Sequence, residues 1–146
     1  MATAGRTEKN EVISSLHDLS YILQRLADKT LLPRLGVSYA QYRVLDALVD
    51  YPAAEQRQLA ARLGQTEAAV SRALKSLRSA GLVKVTPDSR DNRRRIVSLT
   101  PNGQVTANRG DDVIKKLYGR VFRSLSPAET VALERLLGKL RHSLPS

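Results

Sequence analysis

The 146-residue sequence contains no cysteine, no tryptophan, one phenylalanine and one methionine. Without thiols there is no disulfide framework, no thiolate metal site and no thiol redox switch. Five tyrosines are almost the whole aromatic complement, so no stacking platform for single-stranded RNA is visible. No apolar run reaches the length of about eighteen residues that a membrane-spanning helix needs. The opening MATAGRTEKNEV has no apolar core of the signal-peptide kind, which makes the cytoplasm the expected address. Glycine-rich phosphate loops, H-E-x-x-H and catalytically spaced carboxylates are also missing, and His17 and His142 lie at opposite ends. Neither an enzyme nor a metal or cofactor is expected.

What is present is apolar content and positive charge. With 42% hydrophobic residues the chain should fold as one domain. Its formal net charge of +10 points to polyanionic partners, either nucleic acid or an anionic membrane surface. The surplus is unevenly placed. Between Glu55 and Thr100 ten Lys and Arg face four Asp and Glu, whereas the other hundred residues carry fourteen against ten.

Residues 1–10 are polar enough to be expected as a disordered N-terminus. Beyond them, Val12, Leu16, Leu19, Leu23 and Leu26 recur at helical spacing, with Ile13 and Ile22 widening the stripe. This helix is expected over 11–32, with Pro33 stopping it. So wide a stripe on a terminal helix calls for a partner. SYAQ at Ser38 to Gln41 has the form of a capping box, and Tyr42, Leu45, Leu48 and Val49 make the buried face of the helix it opens. Two shorter helical patterns follow with a tight break at Gly64. Leu59 and Leu63 line the first, while Thr66 is placed to cap the second, whose inward stripe is Val70, Ala73, Leu74 and Leu77. After Gly81 the period changes: LVKVT and RIVSLT are β-branched runs flanking a charged segment, which predicts a hairpin. Thr100 and Pro101 then start a long helix, and SPAE at Ser126 to Glu129 opens the last one. Their stripes include Val113, Leu117, Val121 and Leu125, then Leu133, Leu136, Leu137, Leu140 and Leu144. A helix-turn-helix followed by a two-stranded hairpin is a winged helix-turn-helix, mainly α with a small β-hairpin.

With Val70, Leu74 and Leu77 inward, the second short helix presents Ala68, Ser71, Arg72, Lys75 and Ser79 outward. Small residues at its start permit close approach to a major groove. Arg72 can read guanine edges, and Ser71 and Lys75 can reach phosphates. Gln65 and Thr66 add neutral donors at the end where the helix dipole favours an anion. The bland alternative is a basic, solvated helix face.

The hairpin tip, DSRDNRRR at Asp88 to Arg95, holds four arginines, two aspartates and no apolar side chain. A flexible linker, a localisation signal and a polyanion contact all need weighing. The flanking strands speak against a linker, and the aspartates interrupt any localisation signal. A narrow minor groove focuses negative potential and admits an inserted arginine. Arg93 is the expected inserted residue, with Asp91 orienting it by a bidentate bond. Arg90, Arg94 and Arg95 are expected phosphate partners, the alternative for each being a solvated charge.

GLVKVTPDSRDNRRRIVSLTPNG, Gly81 to Gly103, resembles the wing of the MarR family of bacterial transcription regulators. Asp88, Arg90 and Arg93 match its D-x-R-x-x-R tip, Asp91-x-Arg93 the tip core, and VSLTPNG the exit. The resemblance extends over the chain in length and element order, including QLAARLG and VSRALKSLRSAGLV. It implies a homodimer in which helices 11–32 and 101–146 interlock and carry winged lobes, residues 38–100, to successive major grooves. The implied function is that of a repressor binding a pseudo-palindromic double-stranded operator. An architectural DNA-binding protein without an effector is the alternative. The resemblance also implies a small phenolic or aromatic acid as effector, in a cleft for which His17, Tyr21, Arg25, Tyr42 and Arg43 are candidates. Ordinary half-buried packing of a helix junction is the competing reading of those five residues.

Overall fold

The computed structural model describes residues 4–145. The first helix, α1, spans Ala4–Leu35. It begins earlier than its apolar stripe, so the expected disorder of 1–10 does not hold for Ala4–Asn10, while residues 1–3 lie outside the described residues. Thr7, Glu8, Lys9 and Asn10 bury nothing, yet Glu and Lys are good helix formers and extend a helix nucleated further along. Nor does Pro33 stop α1: it lies inside the last turn. The terminator is Gly36, whose φ of 69° and N–H bond of 3.0 Å to the Leu32 carbonyl close the helix in a left-handed residue.

The helix α2, Tyr39–Asp50, opens on the predicted capping box. Ser38 Oγ accepts from the Gln41 N–H at 3.1 Å, and Gln41 Oε1 accepts from the Ser38 N–H at 2.8 Å. Asp28 Oδ1 takes the Tyr39 N–H at 2.7 Å and fastens α1 to this corner. Strand β1, Ala54–Glu55, leads into α3, Gln56–Leu63. Gly64, at φ 61°, makes the tight turn, and Thr66 caps α4, Glu67–Ser79, by accepting the Ala69 N–H at 3.1 Å. Strands β2, Val83–Pro87, and β3, Arg95–Leu99, form the hairpin, with Val83 opposite Leu99 and Pro87 opposite Arg95. The sheet has a third strand that the sequence pattern does not reveal: β1 pairs antiparallel with β3, Glu55 opposite Ile96. Two residues are too few to show a period of two.

Leu45, Leu48, Leu59, Val70, Leu77 and Val97 are all but completely buried and make the core that holds α2, α3, α4 and the sheet together. Each such side chain contributes about 1.5–3 kcal/mol by leaving water. The helix α5, Pro101–Val121, starts where Thr100 Oγ1 accepts the Gly103 N–H at 3.0 Å. After a short 3-10 turn, Phe122–Ser124, the capping box Ser126–Glu129 opens α6, Pro127–Ser143.

The described chain divides into two compact units, with the boundary between Val113 and Ile114. That boundary falls inside α5. The division into a 38–100 lobe and dimerisation helices is therefore one of function and belongs with the proposal below. Terminal-helix apolar residues stay in solvent: Val12, Ile13, Leu19 and Ile22 on α1, and Val131, Leu136 and Leu140 on α6, which has no buried residue. No described helix is long and apolar enough to cross a membrane.

Candidate nucleic-acid interface

Thr66 fixes where α4 begins, and Val70, Leu74 and Leu77, between 0% and 4% exposed, fix which way it faces. Ala68, Ser71, Arg72, Lys75 and Ser79 are consequently all exposed, as the helical period requires, and Thr66 joins them at the N-terminus while Gln65 is half-buried. Among the described residues neither Arg72 nor Lys75 takes part in an ion pair. Glu67, the one acid of α4, is drawn aside towards Arg57, 3.9 Å away. The exposed face of α4 is therefore positive beyond a first turn of small side chains.

Gln41 has a role that sequence alone does not show. Its Nε2 donates to Ser76 Oγ at 2.9 Å, so the residue that caps α2 also grips α4. Ser38, Gln41, Gln65, Ala69, Arg72 and Ala73 line an open concavity of about 350 Å³ beside this contact.

The wing tip is ordered by its own aspartates. Asp88 Oδ1 accepts the Arg90 N–H at 3.1 Å and Asp91 Oδ1 accepts the Arg93 N–H at 3.0 Å, both the two-residue turn that Asp favours. The Asp88 N–H reaches the Arg94 carbonyl at 2.9 Å and the Arg94 N–H reaches the Asp91 carbonyl at 3.0 Å, closing the loop. The expected bidentate bond from Asp91 to the Arg93 guanidinium is absent: Asp91 holds the backbone of Arg93. A short acidic side chain meets an amide two residues on more readily than the far end of an arginine. Arg90, Arg93 and Arg95 are exposed and in no ion pair among the described residues. Arg94 differs, for its Nη1 lies 3.1 Å from Glu55 Oε1 and its Nε 3.7 Å from Asp91 Oδ2.

The five candidate ligand residues are not brought to one place. Arg25 stacks over the Tyr21 ring at 5.7 Å, and with Ile22, Leu26 and Lys29 these residues line a shallow concavity of about 230 Å³. His17 is exposed one turn away and does not line it. Tyr42 is only 5% exposed and packs its ring against Gly110, with Tyr39 stacked at 6.2 Å; Arg43 is half-buried nearby in sequence. Burial, then the charges of Asp46, Asp111 and Tyr39, push the Tyr42 phenol above its ordinary range.

The profile of the MarR family matches residues 35–94, from the end of α1 to the wing tip. The transcriptional regulator HosA of Escherichia coli O157:H7 is 32% identical over 107 residues, which cover 70% of this chain and 76% of HosA. Among solved structures, a variant of Escherichia coli MarR in complex with operator DNA is similar at a TM-score of 0.84 and 27% identity, covering 94% of this chain and 96% of that one. Bordetella bronchiseptica BpsR, described in terms of the regulation of its DNA binding by 6-hydroxynicotinic acid, is similar at 0.82 and 27%, covering 90% and 98%.

Proposed function

This chain belongs to the MarR family of transcription regulators, and from that premise we propose that it is a cytoplasmic repressor. It binds a pseudo-palindromic duplex as a homodimer. Each protomer lays α4 in a major groove and its wing along the adjacent minor groove, on half-sites about 10 bp apart, one helical turn. The observation that carries this reading is the pairing of two basic surfaces in one compact unit. The outward face of α4 and the tip of the β2–β3 hairpin both present arginines that no carboxylate of the described residues neutralises. Arg72 reads base edges. Lys75, Arg90 and Arg95 meet phosphates, and Arg93, at the tip of an aspartate-braced turn, enters the minor groove. The exposed apolar residues of α1 and α6 are the surfaces a second copy covers.

An anionic aromatic effector fits the concavity of Tyr21 and Arg25, where a cation already lies over a ring and Lys29 adds a second positive charge.

Selection of bound duplexes from a random pool, followed by gel-shift titration, tests the assignment. Arg93→Ala should weaken binding to the selected duplex strongly while the protein stays folded. Three phosphate contacts per protomer predict a log–log salt slope of about −5 for the dimer. A flat salt response, or equal affinity for selected and random duplexes, overturns the regulator reading, the second outcome favouring an architectural binder.

A further inference from the structure

Three of the four acids between Glu55 and Thr100 converge on one arginine's neighbourhood: Glu55, Asp88 and Asp91. Arg94 lies 3.1 Å from Glu55 and 3.7 Å from Asp91, and its own carbonyl receives the Asp88 N–H. A guanidinium facing two carboxylates offers no net positive charge to a phosphate. Moving it to DNA would leave Glu55, whose side chain is 27% exposed, and Asp91 facing a polyanion without a counter-charge.

The geometry follows from the sheet. Glu55 is opposite Ile96 on β3, and Arg94 is the residue just before that strand, two before Ile96, so the pairing brings the Arg94 side chain within reach of Glu55. Glu55 is also where α3 begins, its N–H bonded to Gln58 Oε1 at 3.2 Å. At the other end, Asp91 holds the Arg93 N–H. A continuous series of polar contacts thus runs from the start of the helix-turn-helix, through Glu55, Arg94 and Asp91, to the backbone of Arg93.

We propose that Arg94 is a positioning residue, a clasp that ties the wing tip to β1 and so sets where Arg93 stands relative to α4. It is not a phosphate contact. The role rests on the DNA-binding reading above, but the clasp itself exists in the free protein and can be tested there.

In the free protein, 15N heteronuclear NOE values for residues 89–93 should fall in both Glu55→Ala and Arg94→Met, with the values of α4 unchanged in both and those of α3, which Glu55 caps, unchanged in Arg94→Met. On the selected duplex each variant should bind about tenfold more weakly, two exposed clasps per dimer each contributing modestly. The double variant should be no weaker than either single one. Arg94→Met should leave the salt slope unmoved, whereas loss of a phosphate contact in each protomer would flatten it by about 2. The charge-exchanged pair Glu55→Arg with Arg94→Glu should recover both tip order and affinity, and it serves where a single variant folds poorly. Glu55→Ala supplies the sharpest sign, because removing an anion near DNA strengthens binding by electrostatics alone. Equal or tighter binding by Glu55→Ala, a flattened slope in Arg94→Met, or unchanged tip NOE values overturns the clasp. Loosened tips in the variants of a parent protein that itself selects no duplex would instead uphold the clasp and overturn the DNA-binding reading.

Discussion

Gly103→Ala tests how the wing is joined to the rest of the chain. Gly103 is the third residue of α5, where the backbone is helical and alanine would ordinarily stabilise by about 0.5–1 kcal/mol. Here an added Cβ would fall on the Leu82 carbonyl oxygen and come within 2.9 Å of the Leu82 carbonyl carbon and 3.3 Å of Leu99 Cδ2. The obstacle is backbone, so no rotamer change relieves it. That same Leu82 carbonyl accepts the Thr100 N–H at 3.1 Å, and Thr100 Oγ1 donates to the Gly81 carbonyl at 2.6 Å. Backing α5 away strains or breaks these two bonds, at about 1 kcal/mol each. Accepting the overlap costs about 1–3 kcal/mol as overpacking. Set against the propensity gain, either route leaves a net loss, and Gly103→Ala should destabilise by about 1–2 kcal/mol in urea unfolding at fixed protein concentration. Gly119, also in α5, has nothing within 4 Å of its added Cβ, so Gly119→Ala should shift stability the other way. Gly103→Ala within about 0.5 kcal/mol of the parent would refute the reasoning, since surface substitutions with no structural conflict fall in that range.

Arg72→Ala should relax the preferred base at one position of each half-site at a cost of about 1–3 kcal/mol, read by competition among single-base operator variants. Equal weakening on every sequence would make Arg72 a phosphate contact. Leu136→Glu with Leu140→Glu should turn the protein monomeric in analytical ultracentrifugation, because each leucine covered in a dimer contributes about 1.5–3 kcal/mol and a buried carboxylate costs more; a persistent dimer would place the interface elsewhere. Tyr42 predicts an alkaline limit. Its phenol ionises above the ordinary value of 10.0, so below that pH its contribution is fully present. Above it the unfolded chain releases a proton that the folded one keeps, and stability falls as pH rises. Tyr42→Phe should flatten that fall in thermal unfolding between pH 9 and 11, and an unchanged slope would show that another group governs it.

Local chemistry was enough to read most elements of this chain. Ser38 with Gln41, Thr66, and Ser126 with Glu129 mark helix starts because a cap is satisfied by residues within one turn. Val70, Leu74 and Leu77 fix the orientation of α4 because a period of 3.6 admits one inward face, and that alone exposes Arg72 and Lys75. The acid-and-arginine composition of 88–95 marks a tip between two β-branched strands, and the aspartates' two-residue bonds are likewise local. Pro33 misled because a proline within a last turn is tolerated when Gly36 beyond it supplies the left-handed stop.

Tertiary structure decided everything that depends on residues distant in sequence. Glu55 and Arg94 are 39 residues apart, and only the pairing of a two-residue strand with β3 brings a carboxylate to that arginine and separates it from Arg90, Arg93 and Arg95. Gln41 and Ser76 are 35 apart and meet because α2 packs on α4. Gly103 carries no sign in its own helix of the Leu82 carbonyl that excludes a side chain there. The sequence by itself determined which surfaces are charged and where each helix turns, since those follow from neighbours within a turn. Which charges stay free to meet a polyanion is a matter of proximity across the sheet, and only the folded chain determines that.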